Sequence, residues 1–151
     1  MDTNDQVSVF SGGDQTIEIT LFFIVRKNKY GVNVFKVLDD KELEELQSDE
    51  NKKKTIRSIN TVWSLLGWKQ QNEYLEKSIE INPVSSAKEI NPTKYRETIF
   101  KKCLKDWDII ENGKKIPVSD MAIDKLDPRL GEALLNKYDT MMSFDEAAQG
   151  N

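Results

Sequence analysis

Residues 91–142 read NPTKYRETIFKKCLKDWDIIENGKKIPVSDMAIDKLDPRLGEALLNKYDTMM, and each boundary in the stretch is marked by a residue with a physical reason to stand there. Asn91 is a good N-cap, and Pro92 suits the first helical position because proline has no N–H to leave unsatisfied. A helix therefore starts at Pro92, with Tyr95, Ile99, Phe100, Cys103, Leu104 and Trp107 along one apolar face. Lys94, Arg96, Lys101, Lys102 and Lys105 lie mostly off that face, where a solvated surface explains them better than a basic stripe for a partner. Asn112-Gly113 is the pair preferred in a type I′ turn, so Ile109-Ile110 and Ile116 are the predicted arms of a short hairpin over 108–118. Pro117 cannot donate to a ladder and marks its edge or end. Ser119 caps a helix over 120–126, and Asp127-Pro128 repeats the cap-then-proline device for a second. Leu130, Leu134, Leu135, Tyr138, Met141 and Met142 form the stripe of that last helix, and residues 143–151 are expected to fray.

Towards the N-terminus the punctuation weakens. Residues 1–15 are polar and are expected to be flexible apart from a short strand at 7–10. Over 16–25 (TIEITLFFIV), Ile17, Ile19, Leu21, Phe23 and Val25 alternate along one side of a strand. A polar connection over 26–31 leads to a second strand at 32–38, and the two read as a β-hairpin. Phe22, Phe23, Tyr30 and Phe35 are assigned to packing in and across it rather than to a ligand.

Asp39 or Asp40 caps a short helix ending near Gln47, with Glu42, Glu44 and Glu45 favoring its positive end. Residues 48–54 read as a charged loop. Ile56, Ile59, Val62, Trp63 and Leu66 recur at spacings of three and four, which predicts an amphipathic helix over 55–68 that Gly67 loosens or ends. A further turn or two of helix falls within 70–79. Residues 80–89 read as a linker bearing Pro83, and the echo of Glu80-Ile81-Asn82-Pro83 in Glu89-Ile90-Asn91-Pro92 is too short to define a repeat. The resulting fold class is α+β: an N-terminal β-hairpin or small antiparallel sheet followed by a mainly helical bundle, with the short hairpin near 108–118. It forms one domain over 16–142, β-rich over 16–38 and helical over 39–142.

Composition narrows the chemistry. The chain of 151 residues has 22 Lys and Arg against 26 Asp and Glu, so its net charge of -4 gives no general attraction to phosphate backbones or anionic membranes. Neither nucleic acid nor a membrane is an expected partner. The absence of histidine removes the commonest general base and transition-metal ligand. The lone Cys103 lies on an apolar helix face and is read as a small core residue rather than a reactive thiol. Asp106 with Asp108, and Asp120 with Asp124, are the nearest carboxylate pairs, but capping and solvation already account for them. No phosphate loop, nucleophile elbow, Cys-x-x-Cys or calcium loop is present. An enzyme is disfavored, and no cofactor or metal is expected. The N-terminus lacks a basic segment followed by an apolar one, and no apolar run reaches the length of a membrane span, so a soluble intracellular protein is expected.

Trp107-Asp108, then Glu111 to Ser119 (ENGKKIPVS), then Ala122-Ile123, Leu126 and Leu130 together resemble a segment of the small tail assembly chaperones of long-tailed bacteriophages. The passage from Phe35-Lys36-Val37-Leu38 into Asp40-Lys41-Glu42-Leu43 looks like their strand-to-helix transition. The resemblance implies binding to the long helical tape measure protein in the host cytoplasm, shielding its apolar surface until the tail tube polymerizes around it. Such a role needs an apolar surface that accepts amphipathic helices. Trp63, Leu66, Trp68, Leu134, Tyr138, Met141 and Met142 are the candidate partner-binding residues, each weighed against a place in the core. The alternatives are a virion structural subunit of the tail or head-to-tail connector, docking against copies of itself, and a small host-directed inhibitor.

Overall fold

The computed structural model describes residues 14–143; the expectations for a short strand at 7–10 and for a fraying tail fall on residues outside that range. The fold combines a four-stranded antiparallel sheet with helices. Strands β1 (Thr16–Lys27) and β2 (Asn33–Val37) form the expected hairpin, with Phe23 opposite Val37 and Val25 opposite Phe35. Asn28 builds the turn: its side-chain oxygen accepts from the backbone N–H of Tyr30 at 2.9 Å and of Val32 at 3.1 Å. Gly31 there takes a φ of 78°, a left-handed conformation that glycine adopts without steric cost.

Helix α1 (Asp40–Gln47) starts with a capping box, in which Asp39 accepts from the Glu42 N–H at 2.7 Å and Glu42 accepts from that of Asp39 at 3.3 Å. The charged stretch read as a loop contains one turn of helix, α2 (Glu50–Lys53). Asp49 caps it by accepting from the N–H groups of Asn51 and Lys52, and these bonds hold its carboxyl below the usual range.

The helix expected over 55–68 is a strand, β3 (Arg57–Ser64). Ile59, Val62, Trp63 and Leu66 fit a helical stripe, but Ile59, Thr61 and Trp63 also fit a period of two, and all three are buried. The β-branched Ile, Thr and Val of the segment favor a strand over a helix, and the partners that β3 finds in β1 and β6 complete the choice. Buried Thr61 donates its hydroxyl to the Ile19 carbonyl at 2.7 Å.

Helix α3 (Trp68–Lys77) is longer than the turn or two expected. The predicted linker is a hairpin of β4 (Ile79–Ile81) and β5 (Lys88–Ile90), pairing Ile79 with Ile90 and Glu80 with Glu89. The Glu-Ile pairs of the echo therefore lie on facing strands. Asn82 shapes the loop by accepting from Val84 and Ser85 N–H groups, so Pro83 sits where no ladder needs its N–H. The like charges of Glu80 and Glu89 are offset by donors: the Asn91 amide and the Lys94 ammonium reach Glu80 at 3.0 and 3.5 Å, and the Asn82 amide reaches Glu89 at 3.3 Å.

Helix α4 (Pro92–Cys103) starts as expected but stops short of Trp107, because β6 (Leu104–Trp107) replaces its last turn. No Gly or Pro announces that change, and Leu104 and Trp107 fit either element. The Asn-Gly turn joins β7 (Ile110–Glu111) to β8 (Lys114–Lys115) with positive φ at both Asn112 and Gly113. Helices α5 (Asp120–Asp124) and α6 (Pro128–Met142) follow, capped by Ser119 and Asp127 as their spacing predicts. The helical bundle expected over 39–142 is thus interrupted by β3 and β6, which join the sheet in the order β2-β1-β3-β6.

The chain divides into two compact units, one of Glu18–Thr61 with the described residues from 106 onward, the other of Val62–Lys105 with residues 14–17. In the first, Ile19, Leu21, Phe23, Leu38, Ile59, Leu130, Leu134, Leu135 and Tyr138 are buried. In the second, Trp63 packs on Phe100 with ring centroids 5.3 Å apart, beside buried Ile99 and Cys103.

Lys36 pairs with Glu42 at 2.7 Å, and this hydrogen bond, followed by that from the Asp39 N–H, holds the Glu42 carboxyl below its ordinary 4.5. A depressed carboxyl stabilizes the fold above its unfolded pKa and loses that contribution as pH falls through the folded one. Denaturation midpoints followed from about pH 6 to about pH 3 should therefore fall less for Glu42→Gln than for the parent.

Candidate functional site

Two grooves adjoin one another within the unit that contains α5 and α6, the first mainly apolar and the second mixed. The first, of about 560 Å³, runs between the β7–β8 hairpin and α5 and is lined by Trp107, Ile109, Ile116, Pro117, Met121 and Leu126. The second, of about 900 Å³, is lined by apolar Phe23, Phe35, Ile59 and Leu130 together with polar and charged groups that include Arg57 and Asp127. Ile109, Glu111, Lys125 and Leu126 line both, so they form a common wall.

The walls are built by polar bonds at the end of β6. Asn60 donates its backbone N–H to one Asp108 oxygen at 2.8 Å and its side-chain amide to the other at 2.6 Å. The Asp108 N–H returns a bond to the Asn60 carbonyl at 3.2 Å. Ile109 and Ile110 follow at once, and both line the second groove. Ile109 is half-buried in the wall, whereas Ile110 is 65% exposed on the rim. The Trp107 indole N–H donates to the Ile116 carbonyl, and Lys115 pairs with Asp106 at 2.9 Å, so the hairpin is tied back to β6 at two places. The Lys115 ammonium holds the Asp106 carboxyl below its usual range. On the far side Met121, 68% exposed, projects from α5.

The rim carries both signs. Arg57 and Lys125 stand against Asp108, Glu111 and Asp127. Asp108 is committed to Asn60, and Asp127 accepts from the Arg129 N–H at 2.9 Å. Both members of the Asp106 and Asp108 pair are thus engaged in structural bonds. Among the described residues no group of three or more His, Cys, Asp or Glu side chains is placed to hold a metal ion. What the first groove presents is a mainly apolar surface suited to apolar side chains of a partner, and the second adds polar and charged groups beside it.

A second apolar surface lies in the other unit. On the β4–β5 hairpin, Ile79, Ile81 and Ile90 share one face by register and alternation, Ile81 being 67% exposed, and Val84 stands exposed in the loop. Such a contiguous apolar face marks an interaction site more often than an isolated exposed Leu or Ile does.

The sequence candidates fall differently. Trp63, Leu134 and Tyr138 are buried, and Leu66 is half-buried. Trp68 is 81% exposed at the start of α3, and Met141 and Met142 are about half exposed at the end of α6. Trp63, Leu66 and Trp68 belong to one unit and the remaining four to the other, and none lines either groove. A strand where the spacing predicts a helix brings Ile59 to the second groove, and the adjacent pair Ile109-Ile110 is the apolar signal in the sequence for the shared wall. Comparison with known protein families, curated proteins and solved structures finds no match. No helix among the described residues is long and apolar enough to cross a membrane.

Rim and floor should separate by stability. Ile110→Lys and Met121→Lys are expected to shift unfolding by no more than about 0.5 kcal/mol, whereas Leu130→Ala should cost about 2–5 kcal/mol. Urea denaturation of the three variants measures both.

Proposed function

We propose that the protein is a non-enzymatic bacteriophage tail assembly protein that binds and shields the helical tape measure protein in the host cytoplasm. The observation that carries the reading is the apolar groove between the β7–β8 hairpin and α5, which shares a wall with a second, mixed groove, with exposed Met121 and Ile110 among their lining residues. Apolar side chains three and four residues apart on a helix lie about 5–6 Å from one another, a spacing that lets successive ones enter grooves that share a wall. The methionine adds adaptability, which suits a long partner whose apolar stripe varies along its length. The segment that resembles the tail chaperones, from Trp107 to Leu130, supplies the lining of the first groove and part of that of the second.

A virion structural subunit is the second reading, favored by the uncovered Ile79, Ile81 and Ile90 face, which would be buried against a neighbor in an assembled particle.

Coexpression with a long helical tape measure protein distinguishes them. A chaperone keeps that partner soluble, copurifies with it and is absent from purified virions. Ile110→Glu combined with Met121→Glu should weaken the complex on the order of tenfold or more, since charges placed in an apolar contact must be desolvated. A partner that remains insoluble, or a fixed stoichiometry of this chain in the particle, would count against the chaperone and, in the second case, for the subunit.

A further inference from the structure

We infer that Asn112-Gly113 is a site of spontaneous deamidation, and that the isoaspartate formed there opens the β7–β8 hairpin and takes down one wall of the first groove. Of the chain's asparagines only Asn112 precedes a glycine. Deamidation begins when the backbone nitrogen of the following residue attacks the asparagine side-chain carbonyl, and glycine, with no side chain, obstructs that approach least. Both reacting groups are unengaged. Asn112 and Gly113 are exposed at the hairpin tip, and neither the Asn112 carboxamide nor the Gly113 N–H has a hydrogen-bond partner among the described residues. Nothing stands within 4 Å of the position that a Cβ on Gly113 would take. The side chains of Asn28, Asn60, Asn82 and Asn91, by contrast, are all held in hydrogen bonds.

The reaction consumes only water. The Gly113 nitrogen bonds to Cγ of Asn112, the Cγ–Nδ2 bond breaks, and ammonia leaves with the proton that the Gly113 nitrogen gives up. Water then opens the five-membered ring at either carbonyl. Opening at Cγ gives aspartate, whereas opening at the main-chain carbonyl gives isoaspartate, in which the chain runs on through Cβ and Cγ. The ring closes only when the main chain of Asn112 rotates out of its turn conformation, so the hairpin must open first. Its strands, Ile110–Glu111 and Lys114–Lys115, are two residues each, and so short a pair opens at little cost. What resists opening is the Lys115 pair with Asp106 at 2.9 Å and the bond from the Trp107 indole to the Ile116 carbonyl.

Isoaspartate adds one atom to the main chain inside a two-residue turn whose φ values of 53° and 76° close the pairs Glu111–Lys114 and Ile110–Lys115. The lengthened turn no longer fits that register, and the bond from the Ile116 N–H to the Ile109 carbonyl, 2.9 Å in the intact hairpin, is lost with it. Ile109, Glu111 and Ile116 all line the first groove, so its wall goes with the hairpin. Aspartate keeps the chain length and tolerates the left-handed turn, so it leaves the hairpin closed. The modification and the opening of the hairpin stand on the turn alone. Only the loss of a bound helix from aged copies rests on the proposed binding role.

The full chain is aged at mildly alkaline pH and isoaspartate is located by peptide mapping with mass spectrometry. It should accumulate at residue 112 ahead of Asn33, Asn51 and Asn72. Lys115→Ala should speed its formation about twofold to fivefold, the range that loss of an exposed ion pair allows when reaction follows opening. In the isolated isoaspartate form the Ile116 amide should lose its slow hydrogen exchange, whereas freshly purified Asn112→Asp should retain it. Isoaspartate at residue 112 in the urea-unfolded chain but none in the folded one overturns the proposal. So does a rate indifferent to Lys115→Ala, or an Ile116 amide that stays protected in the isoaspartate form. None of these readouts uses a partner, so their failure is distinct from failure of the proposed binding role.

Discussion

The polar junction at Asn60 is the constraint on which the groove-bearing unit depends. Its side chain accepts from the Thr20 hydroxyl at 2.7 Å and donates to Asp108, while its backbone N–H and C=O both bond to Asp108. One residue of β3 thereby fixes β1 on one side and the end of β6 on the other. Hydrogen bonds to an ionized carboxylate are stronger than those between neutral groups, so the Asn60–Asp108 contact is a firm clamp even at an exposed position. Its consequence is local and directional: Ile109 is held in the common wall, Ile110 on the rim, and the β7–β8 hairpin beyond them is tied back through Trp107 and Lys115.

Where the chain is punctuated by caps and turns, the sequence was readable. Asp39, Asn91, Ser119 and Asp127 accept from the backbone donors that their positions predict, and Asn112-Gly113 adopts the conformation that its turn type requires. These signals are local, carried by one side chain and the two or three residues after it. β3 was illegible for the opposite reason. Its apolar residues fit periods of both 3.6 and 2, and the choice rests on partners distant in the chain, the Ile19 carbonyl and Asp108. The end of α4 shows the same limit, because nothing in KKCLKDW distinguishes a last helical turn from the strand that replaces it.

Of the candidate site less was legible. Selecting large apolar residues by helical spacing finds core residues as readily as surface ones, and Trp63, Leu134 and Tyr138 are core. Several of the apolar residues left uncovered stand where a hairpin or a short helix cannot bury both of its faces: Ile110 beside the Asn-Gly turn, Met121 on α5, and Ile81 on β4. Small elements have one face to offer a core, and an apolar residue on the other is available to a partner. That physical distinction, rather than any catalytic arrangement, underlies the proposed role in binding.

The most direct measurement is a double-mutant cycle on the junction, with Asn60→Ala, Asp108→Ala and the double variant compared by urea denaturation. If the clamp orders the strands as described, the two sites are coupled by about 1–3 kcal/mol, since either change alone loses the bonds they share. Additivity to within about 0.5 kcal/mol would contradict the account, because the groove wall would then be held by something other than Asn60 and Asp108.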